Sequence, residues 1–123
     1  MRTDIQPILA KHPGLLHRMR FASLRFDIGS SDERLHVEVE GERVSAAMVP
    51  QGAAAGSCEF LIEASQSAWA EFSKPVPPPG YNDILALFES GHARFTGEGL
   101  GFYRNLFLVK GIVSAVFRGD ARC

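Results

Sequence analysis

The stretch LHVEVE, residues 35–40, alternates strictly between apolar and polar side chains. A period of two is typical of a β-strand with one buried and one solvent-facing side. The same alternation occurs in residues 24–28, and a weaker strand pattern follows in residues 43–49. Turn-forming residues separate the three segments. Residues 24–49 therefore predict a three-stranded antiparallel meander.

A strand and two short helices are predicted next. The strand covers residues 58–64, where the run Phe-Leu-Ile indicates that both faces are partly covered. Ser65 is a favourable N-cap for a helix over residues 66–73, because its hydroxyl can accept a hydrogen bond from a backbone N–H of the first turn. Asn82 is expected to cap a second helix over residues 83–89 in the same way.

The ends of the chain complete the predicted order of elements. A short strand is expected over residues 92–96 and one long helix over residues 100–117, while residues 1–20 form a helical segment that Pro13-Gly14 interrupts. The resulting order, α-β-β-β-β-α-α-β-α, groups the strands before most of the helices. This grouping predicts an α+β fold in which helices cover a sheet.

The stretch PVPPPG, residues 75–80, could join two domains or lie within one. Cutting the chain of 123 residues at this point would leave a second part of roughly 48 residues, close to the lower limit for independent folding. We therefore predict a single domain over residues 1–123, with residues 75–80 as an internal proline-rich spacer between two short helices. Prolines fix the path of such a spacer and prevent the first helix from continuing.

Composition excludes several classes of protein. The chain has 13 Lys and Arg against 14 Asp and Glu, which argues against binding to a nucleic-acid backbone. Cys58 and Cys123 are the two cysteines, too few for a disulfide scaffold and without the spacing of a metal site. A reducing cytoplasm is the expected location. We also expect no secretory signal and no membrane-spanning segment, because no apolar run is long enough.

Motifs that would indicate catalysis or metal binding are weak. The four histidines, His12, His17, His36 and His92, do not combine into a metal-binding pattern, and we expect surface or structural roles, with His36 and His92 facing solvent. A dinucleotide-binding loop would need a third glycine at the position of Phe102. No serine lies in a Gly-x-Ser-x-Gly motif. We predict no catalytic residue, metal or cofactor, and leave an enzyme of hydrophobic substrates as an alternative.

Two segments carry a resemblance to a known family. They are CEFLIEASQSAWAEF at residues 58–72 and DILALFESGHARFTGE at residues 83–98, followed by an apolar terminal helix. Together with the order of elements from Leu24 onward, they resemble the sterol carrier protein 2 (SCP2)-like domain, whose signature is Gly-x-hydrophobic-x-hydrophobic-x-Gly-acidic. The chain departs from the family pattern in its proline insertion, and in having Glu98 where aspartate is common.

The resemblance implies a five-stranded, mixed and mostly antiparallel sheet covered on one face by helices. It also implies an apolar tunnel between the sheet and the helices, which could hold a fatty acyl chain, acyl-CoA or a sterol-like molecule. The family shares no catalytic residues. The resemblance therefore favours a carrier or accessory module over an enzyme.

The predicted terminal helix is apolar over more than one face. Between residues 100 and 117 only Arg104 and Lys110 are charged, whereas a surface helix needs an apolar face of little more than 100°. Three interpretations are open. The helix could be covered on both sides within the core, could line a tunnel on one side, or could make a homodimer or transient membrane-surface contact.

We predict that an apolar or lipid ligand contacts side chains from the second half of the chain, although filled cores use the same residue types. The candidates are Trp69, Phe72, Tyr81, Leu85, Phe88, Phe102, Leu106, Val109 and Val113, with Tyr81 at the rim beside the proline segment. The alternative is a structural or interaction module whose core is filled, and which dimerises or docks a partner through its C-terminal helix.

Overall fold

The computed structural model describes residues 1–49 and 58–121, so the predicted connection at residues 51–57 and Cys123 lie outside the described residues. The strands are β1 (Ser23–Gly29), β2 (Arg34–Glu40), β3 (Arg43–Met48), β4 (Phe60–Ala64) and β5 (Ala93–Gly97). The helices are α1 (Gln6–Ala10), α2 (Pro13–Met19), α3 (Gln66–Phe72), α4 (Ile84–Glu89), α5 (Gly99–Arg104) and α6 (Leu106–Arg118).

The five strands form one mixed sheet in the order β3-β2-β1-β4-β5. The pairs β1–β2, β2–β3 and β4–β5 are antiparallel, and β1–β4 is parallel. The predicted meander is therefore confirmed, as are the α+β class and the mixed, mostly antiparallel sheet. The parallel pair joins the meander to the second half of the chain.

One face of the sheet is apolar and belongs to the core. Leu24, Phe26 and Ile28 of β1 are at most 1% exposed, and β2 places Val39, Val37 and Leu35 directly opposite them. This agrees with the alternation in the sequence, since side chains along a strand point to opposite faces. Buried side chains from all six helices join the same core.

The predicted long C-terminal helix is wrong in one respect, because it is broken at Asn105. This residue lies between α5 and α6 with φ −116° and ψ 31°, outside the helical region. Its side-chain Nδ2 donates a hydrogen bond of 2.9 Å to the carbonyl of Gly101. Asparagine competes for backbone groups in this way, which accounts for the break.

The N-cap of α4 is Asp83 and not the predicted Asn82. The Asp83 carboxylate accepts a hydrogen bond of 2.8 Å from the backbone N–H of Ala86. Adjacent Asn and Asp residues are both good caps, so the sequence pattern could not separate them. The predicted Ser65 cap of α3 is confirmed, with its hydroxyl accepting from Ala68 N–H at 3.1 Å.

Residues on both sides of the proline segment contact the end of α6. The Arg118 guanidinium donates hydrogen bonds to the carbonyls of Phe72, at 2.7 Å, and of Tyr81 and Asn82, at 3.3 and 2.8 Å. These carbonyls lie just before and just after residues 75–80. A single side chain thus holds the end of α3 and the approach to α4 against the same helix.

We predict that Asp83→Ala lowers the free energy of unfolding by about 1–2 kcal/mol, because it removes the cap of α4. Asp83 also lies 3.3 Å from Lys110 Nζ, so Asp83→Asn separates the two effects by keeping a cap acceptor without the charge. Urea denaturation of these variants would measure the difference.

Asn82→Ala is the matched control for the cap, and should cost less than about 0.5 kcal/mol, as surface substitutions usually do. An equal decrease in the free energy of unfolding in Asn82→Ala and Asp83→Ala would contradict the assignment of Asp83 as the cap.

Candidate functional site

Five phenylalanine rings contact one another in the layer between the sheet and the helices. We call this group the phenylalanine cluster: Phe26 on β1, Phe60 on β4, Phe95 on β5, Phe88 on α4 and Phe102 on α5. Its ring centroids are joined by six contacts between 4.9 Å, for Phe26–Phe60, and 6.1 Å, for Phe88–Phe95. Aromatic rings at such separations attract one another beyond their simple burial.

The phenylalanine cluster extends from the middle of the sheet to the protein surface. Phe26, Phe60 and Phe102 are at most 2% exposed, whereas Phe88 and Phe95 are half-buried. Phe88 and Phe102 lie in contact at 6.0 Å. The cluster therefore forms a continuous apolar path inward from α4 and β5.

Trp69 and Phe72 of α3, both predicted ligand contacts, form a second group of rings with Phe117 of α6. The Trp69 ring stacks on Phe117 with centroids 4.0 Å apart, and meets Phe72 edge to face at 5.5 Å. Trp69 Nε1 donates a hydrogen bond of 2.9 Å to the Gly29 carbonyl, and the Arg118 guanidinium lies 3.8 Å from the Phe72 ring centroid. The indole N–H of Trp69 and the guanidinium of Arg118 thus both have partners within the protein.

The other predicted contacts are distributed around these two groups. Val109 and Val113 of α6 are fully buried, and Leu85 and Leu106 are half-buried against the core. Tyr81 stacks on His92, with ring centroids 4.2 Å apart. The structure therefore brings Phe88 and Phe102 together in one group and Trp69 and Phe72 in another, and the ligand-contact role of all nine residues stays a prediction.

Sequence reasoning missed three members of the phenylalanine cluster: Phe26, Phe60 and Phe95. Alternation along β1 could have placed Phe26 on the buried face. Its contact with Phe60 depends on the parallel β1–β4 register, in which the two residues are direct partners. That pairing joins segments 34 residues apart, so no local sequence pattern indicates it.

The opposite face of the sheet carries a buried carboxylate. Asp27 is 2% exposed, and its oxygens lie 2.6 Å from His36 Nδ1 and 3.6 Å from an Arg34 guanidinium nitrogen. His36 was expected to face solvent, but it is half-buried between Asp27 and Glu38, whose carboxylate lies 3.2 Å from Nε2. His92, which was also expected to face solvent, is half-buried against Tyr81.

These contacts change the titration of two groups. Burial alone would lower the pKa of His36, but its hydrogen bonds to Asp27 and Glu38, and the charges of these carboxylates, outweigh burial and raise it. Burial, followed by the charge of Asp27, raises the pKa of the Cys58 thiol. A raised thiol pKa disfavours the thiolate that nucleophilic catalysis requires.

Within residues 1–49 and 58–121, no group of three or more His, Cys, Asp and Glu side chains is arranged to hold a metal ion. A polar groove of about 480 Å³ opens at the ends of β4 and β5 and is lined in part by Glu63, His92 and Arg94.

None of the helices described is sufficiently long and apolar to cross a membrane.

The fold is similar to that of a solved protein described as "UbiJ-SCP2 Ubiquinone synthesis protein", with a TM-score of 0.55 and 16% identity over 91% of this chain and 85% of that chain. It is also similar to part of the stereoselective inverting sec-alkylsulfatase Pisa1 from Pseudomonas sp., with a TM-score of 0.52 and 7% identity over 88% of this chain. A double mutant of the sec-alkyl sulfatase PisA1 gives a TM-score of 0.55 and 7% identity over 76% of this chain.

This chain spans only 14% of the length of either sulfatase chain, against 85% of the UbiJ-SCP2 chain. No family model matches the sequence, and no curated protein matches it. The similarity to the UbiJ-SCP2 structure supports the SCP2-like fold that the sequence predicts.

We predict that His36 stabilises the fold more in acid than in base. Because folding raises the pKa of His36, its stabilising contribution is fully present below the pKa of the unfolded chain, about 6.5. The contribution is lost as the pH rises through the pKa of His36 in the folded protein. The free energy of unfolding should therefore differ more between wild type and His36→Gln at about pH 5.5 than at about pH 9.

Repeating the comparison in an Asp27→Asn background provides the control, since it removes the first carboxylate partner of His36. The dependence on pH of the His36→Gln effect should become smaller there. An effect that is the same at both pH values in the wild-type background would show that the His36–Asp27 contact does not favour the protonated ring.

Proposed function

We propose that this domain binds an apolar small molecule, or the acyl chain of a lipid, at the phenylalanine cluster. The observation that supports this most directly is the path of contacting rings from half-buried Phe88 to fully buried Phe26. It lies between the sheet and the helices, in an SCP2-like fold. Ligand sites in proteins are mostly apolar and occur between elements in this way.

The names of the two kinds of structural neighbour are consistent with this proposal. One is described as a ubiquinone synthesis protein and the other as a sec-alkylsulfatase. The two names refer to a quinone and to an alkyl group, both of which have an apolar part. A shared fold leaves the function open, so these names support only the general chemistry of the ligand.

The entrance that we propose lies at α4, a helix of only six residues. Ile84 and Leu87 anchor it in the core at no more than 1% exposure, while Leu85 and Phe88 remain half-buried on its outer part. Rotation of Phe88 away from Phe102 would open the path to a ligand without unfolding the sheet. Side chains that are partly exposed change rotamer on a fast timescale.

Binding would draw its free energy from removing the ligand from water, at about 0.8 kcal/mol for each CH₂ group buried. The phenylalanine rings would then contact the apolar chain of the ligand in place of one another. We propose a carrier or accessory role without chemistry at this site. Tyr81, Leu85 and Leu106 are the residues that we propose for its rim.

A filled core without a ligand is the second candidate, because the same ring contacts would also serve as the packing of a closed core. In that case the domain would dimerise or dock a partner through its C-terminal helix. Most of α6 is buried within the domain, with Val109, Ile112, Val113 and Val116 at most 1% exposed. The most exposed apolar side chain of α6 is Phe107 in its first turn, at 54%, whereas the neighbouring Leu108 is 4% exposed. Phe107→Asp is therefore the informative surface variant, since Leu108→Asp would disturb the core.

Displacement of a fluorescent fatty acid analogue tests the proposed function. We expect wild-type protein to bind the probe and Phe88→Gln to weaken its affinity about tenfold, which is about 1.4 kcal/mol or the contact of roughly two CH₂ groups. Native mass spectrometry of the purified protein would show whether an apolar ligand is retained.

Phe117→Gln is the matched control. Phe117 is also a half-buried ring on a helix with ring contacts, but it belongs to the Trp69 group. The affinity of the Phe117→Gln variant for the probe should stay within about twofold of wild type. Circular dichroism would confirm that the Phe88→Gln and Phe117→Gln variants are both folded. Absence of probe binding and of a retained ligand in the wild-type protein would favour the filled core.

A further inference from the structure

The junction of α5 and α6 exposes large apolar side chains close together in sequence. Leu100 and Tyr103 of α5 are 57% and 71% exposed, and Phe107 in the first turn of α6 is 54% exposed. Leu100 and Tyr103 are three residues apart and so lie on the same side of α5. We call these three residues the apolar corner. Elsewhere α6 turns its apolar side chains into the core, so this exposure is a local property of the junction.

Lysine and arginine side chains lie near Phe107. A groove of about 500 Å³ is lined by Phe107 together with Lys11, His12 and Arg18, and an adjoining groove of about 310 Å³ by Phe107, Arg18 and Arg104. The Arg18 guanidinium lies 5.3 Å from the centroid of the Phe107 ring. Among the residues that line the two grooves, none is acidic.

This concentration of positive charge is local, because the whole chain has a net charge of −1. Among the described residues, Lys11, Arg18 and Arg104 take part in none of the ion pairs, which elsewhere join seven pairs of side chains. Two acidic residues lie beside α5: Glu98 at its N-cap, and Glu59, whose carboxylate would lie 3.0 Å from a Cβ on Gly101. Lys11, Arg18 and Arg104 are the basic side chains that could face an anionic partner at this surface.

We propose that the apolar corner and its basic flanks dock this domain onto the surface of an anionic lipid bilayer. Aromatic and aliphatic side chains such as Phe107, Tyr103 and Leu100 insert at the level of the lipid headgroups. Lysine and arginine beside them are attracted to anionic lipids. An exposed Phe107 with Lys11, Arg18 and Arg104 beside it combines the apolar and basic side chains that such a surface requires.

A second copy of the chain fits this surface less well. A two-fold contact brings the same patch of both copies together, so Lys11, Arg18 and Arg104 of one copy would approach those of the other. Such a contact would have to overcome the repulsion between like charges. The apolar corner adjoins the phenylalanine cluster, because the Tyr103 ring meets Phe102 edge to face with centroids 5.2 Å apart. The proposal nevertheless does not depend on ligand binding at the cluster.

Vesicle co-sedimentation tests the proposal directly. We expect the wild-type protein to sediment with vesicles of phosphatidylcholine and phosphatidylserine, to bind pure phosphatidylcholine vesicles less, and to dissociate as salt is raised. Phe107→Ser combined with Tyr103→Ser should reduce the bound fraction at least about fivefold. Arg18→Gln combined with Arg104→Gln should remove the preference for phosphatidylserine.

Val76→Ser is the matched control, because Val76 is 86% exposed in the proline segment, near the opposite end of α6. It should leave vesicle binding unchanged, and Phe88→Gln should do so as well, which separates this test from that of the proposed function. Lack of binding by the wild-type protein, or equal loss in Val76→Ser, would overturn the proposal. A dimer in light scattering that Phe107→Ser dissociates, without vesicle binding, would instead assign the corner to a second copy.

Discussion

The parallel pairing of β1 with β4 is the constraint on which the rest of the structure depends. It places Phe26 directly beside Phe60, whose rings stack 4.9 Å apart, and thereby joins the meander to the later elements. β5 then adds to β4, and its last residue, Gly97, can lie opposite Phe60 because it has no side chain, since a Cβ there would lie 2.5 Å from the Glu59 carbonyl oxygen. The three strand members of the phenylalanine cluster, Phe26, Phe60 and Phe95, are positioned through these two pairings.

The two faces of β1 stabilise the same strand by different physics. On the inner face, the folded state is stabilised because apolar side chains are removed from water. On the outer face Asp27 is almost fully buried, and an unpaired carboxylate there would be strongly unfavourable. Its contacts with His36 and Arg34, both on β2, compensate for this and link the neighbouring strands. The centre of the sheet thus combines a dry apolar side with an ionic side near water.

Sequence patterns predicted the elements that depend on near neighbours. The alternation in residues 35–40 and the Ser65 cap act within a few residues, and both were confirmed. The break at Asn105 was missed because an apolar helical pattern continues through it, and only a side-chain bond to the Gly101 carbonyl ends α5. Sequence reasoning named Phe88 and Phe102 as ligand contacts but did not predict the phenylalanine cluster, because its strand members meet through pairings between distant segments. No local pattern encodes such pairings.

The contacts of Arg118 bear on how the proline segment can vary in length. Because this guanidinium binds carbonyls before and after residues 75–80, the two ends of the segment stay in place whatever lies between them. Closing a surface loop costs only about 0.6 kcal/mol for each doubling of its length. Insertions or deletions between Lys74 and Gly80 would therefore alter the outline of the domain near α4 while leaving the anchoring carbonyls in place. A relative of this chain could carry a quite different loop there on an unchanged core.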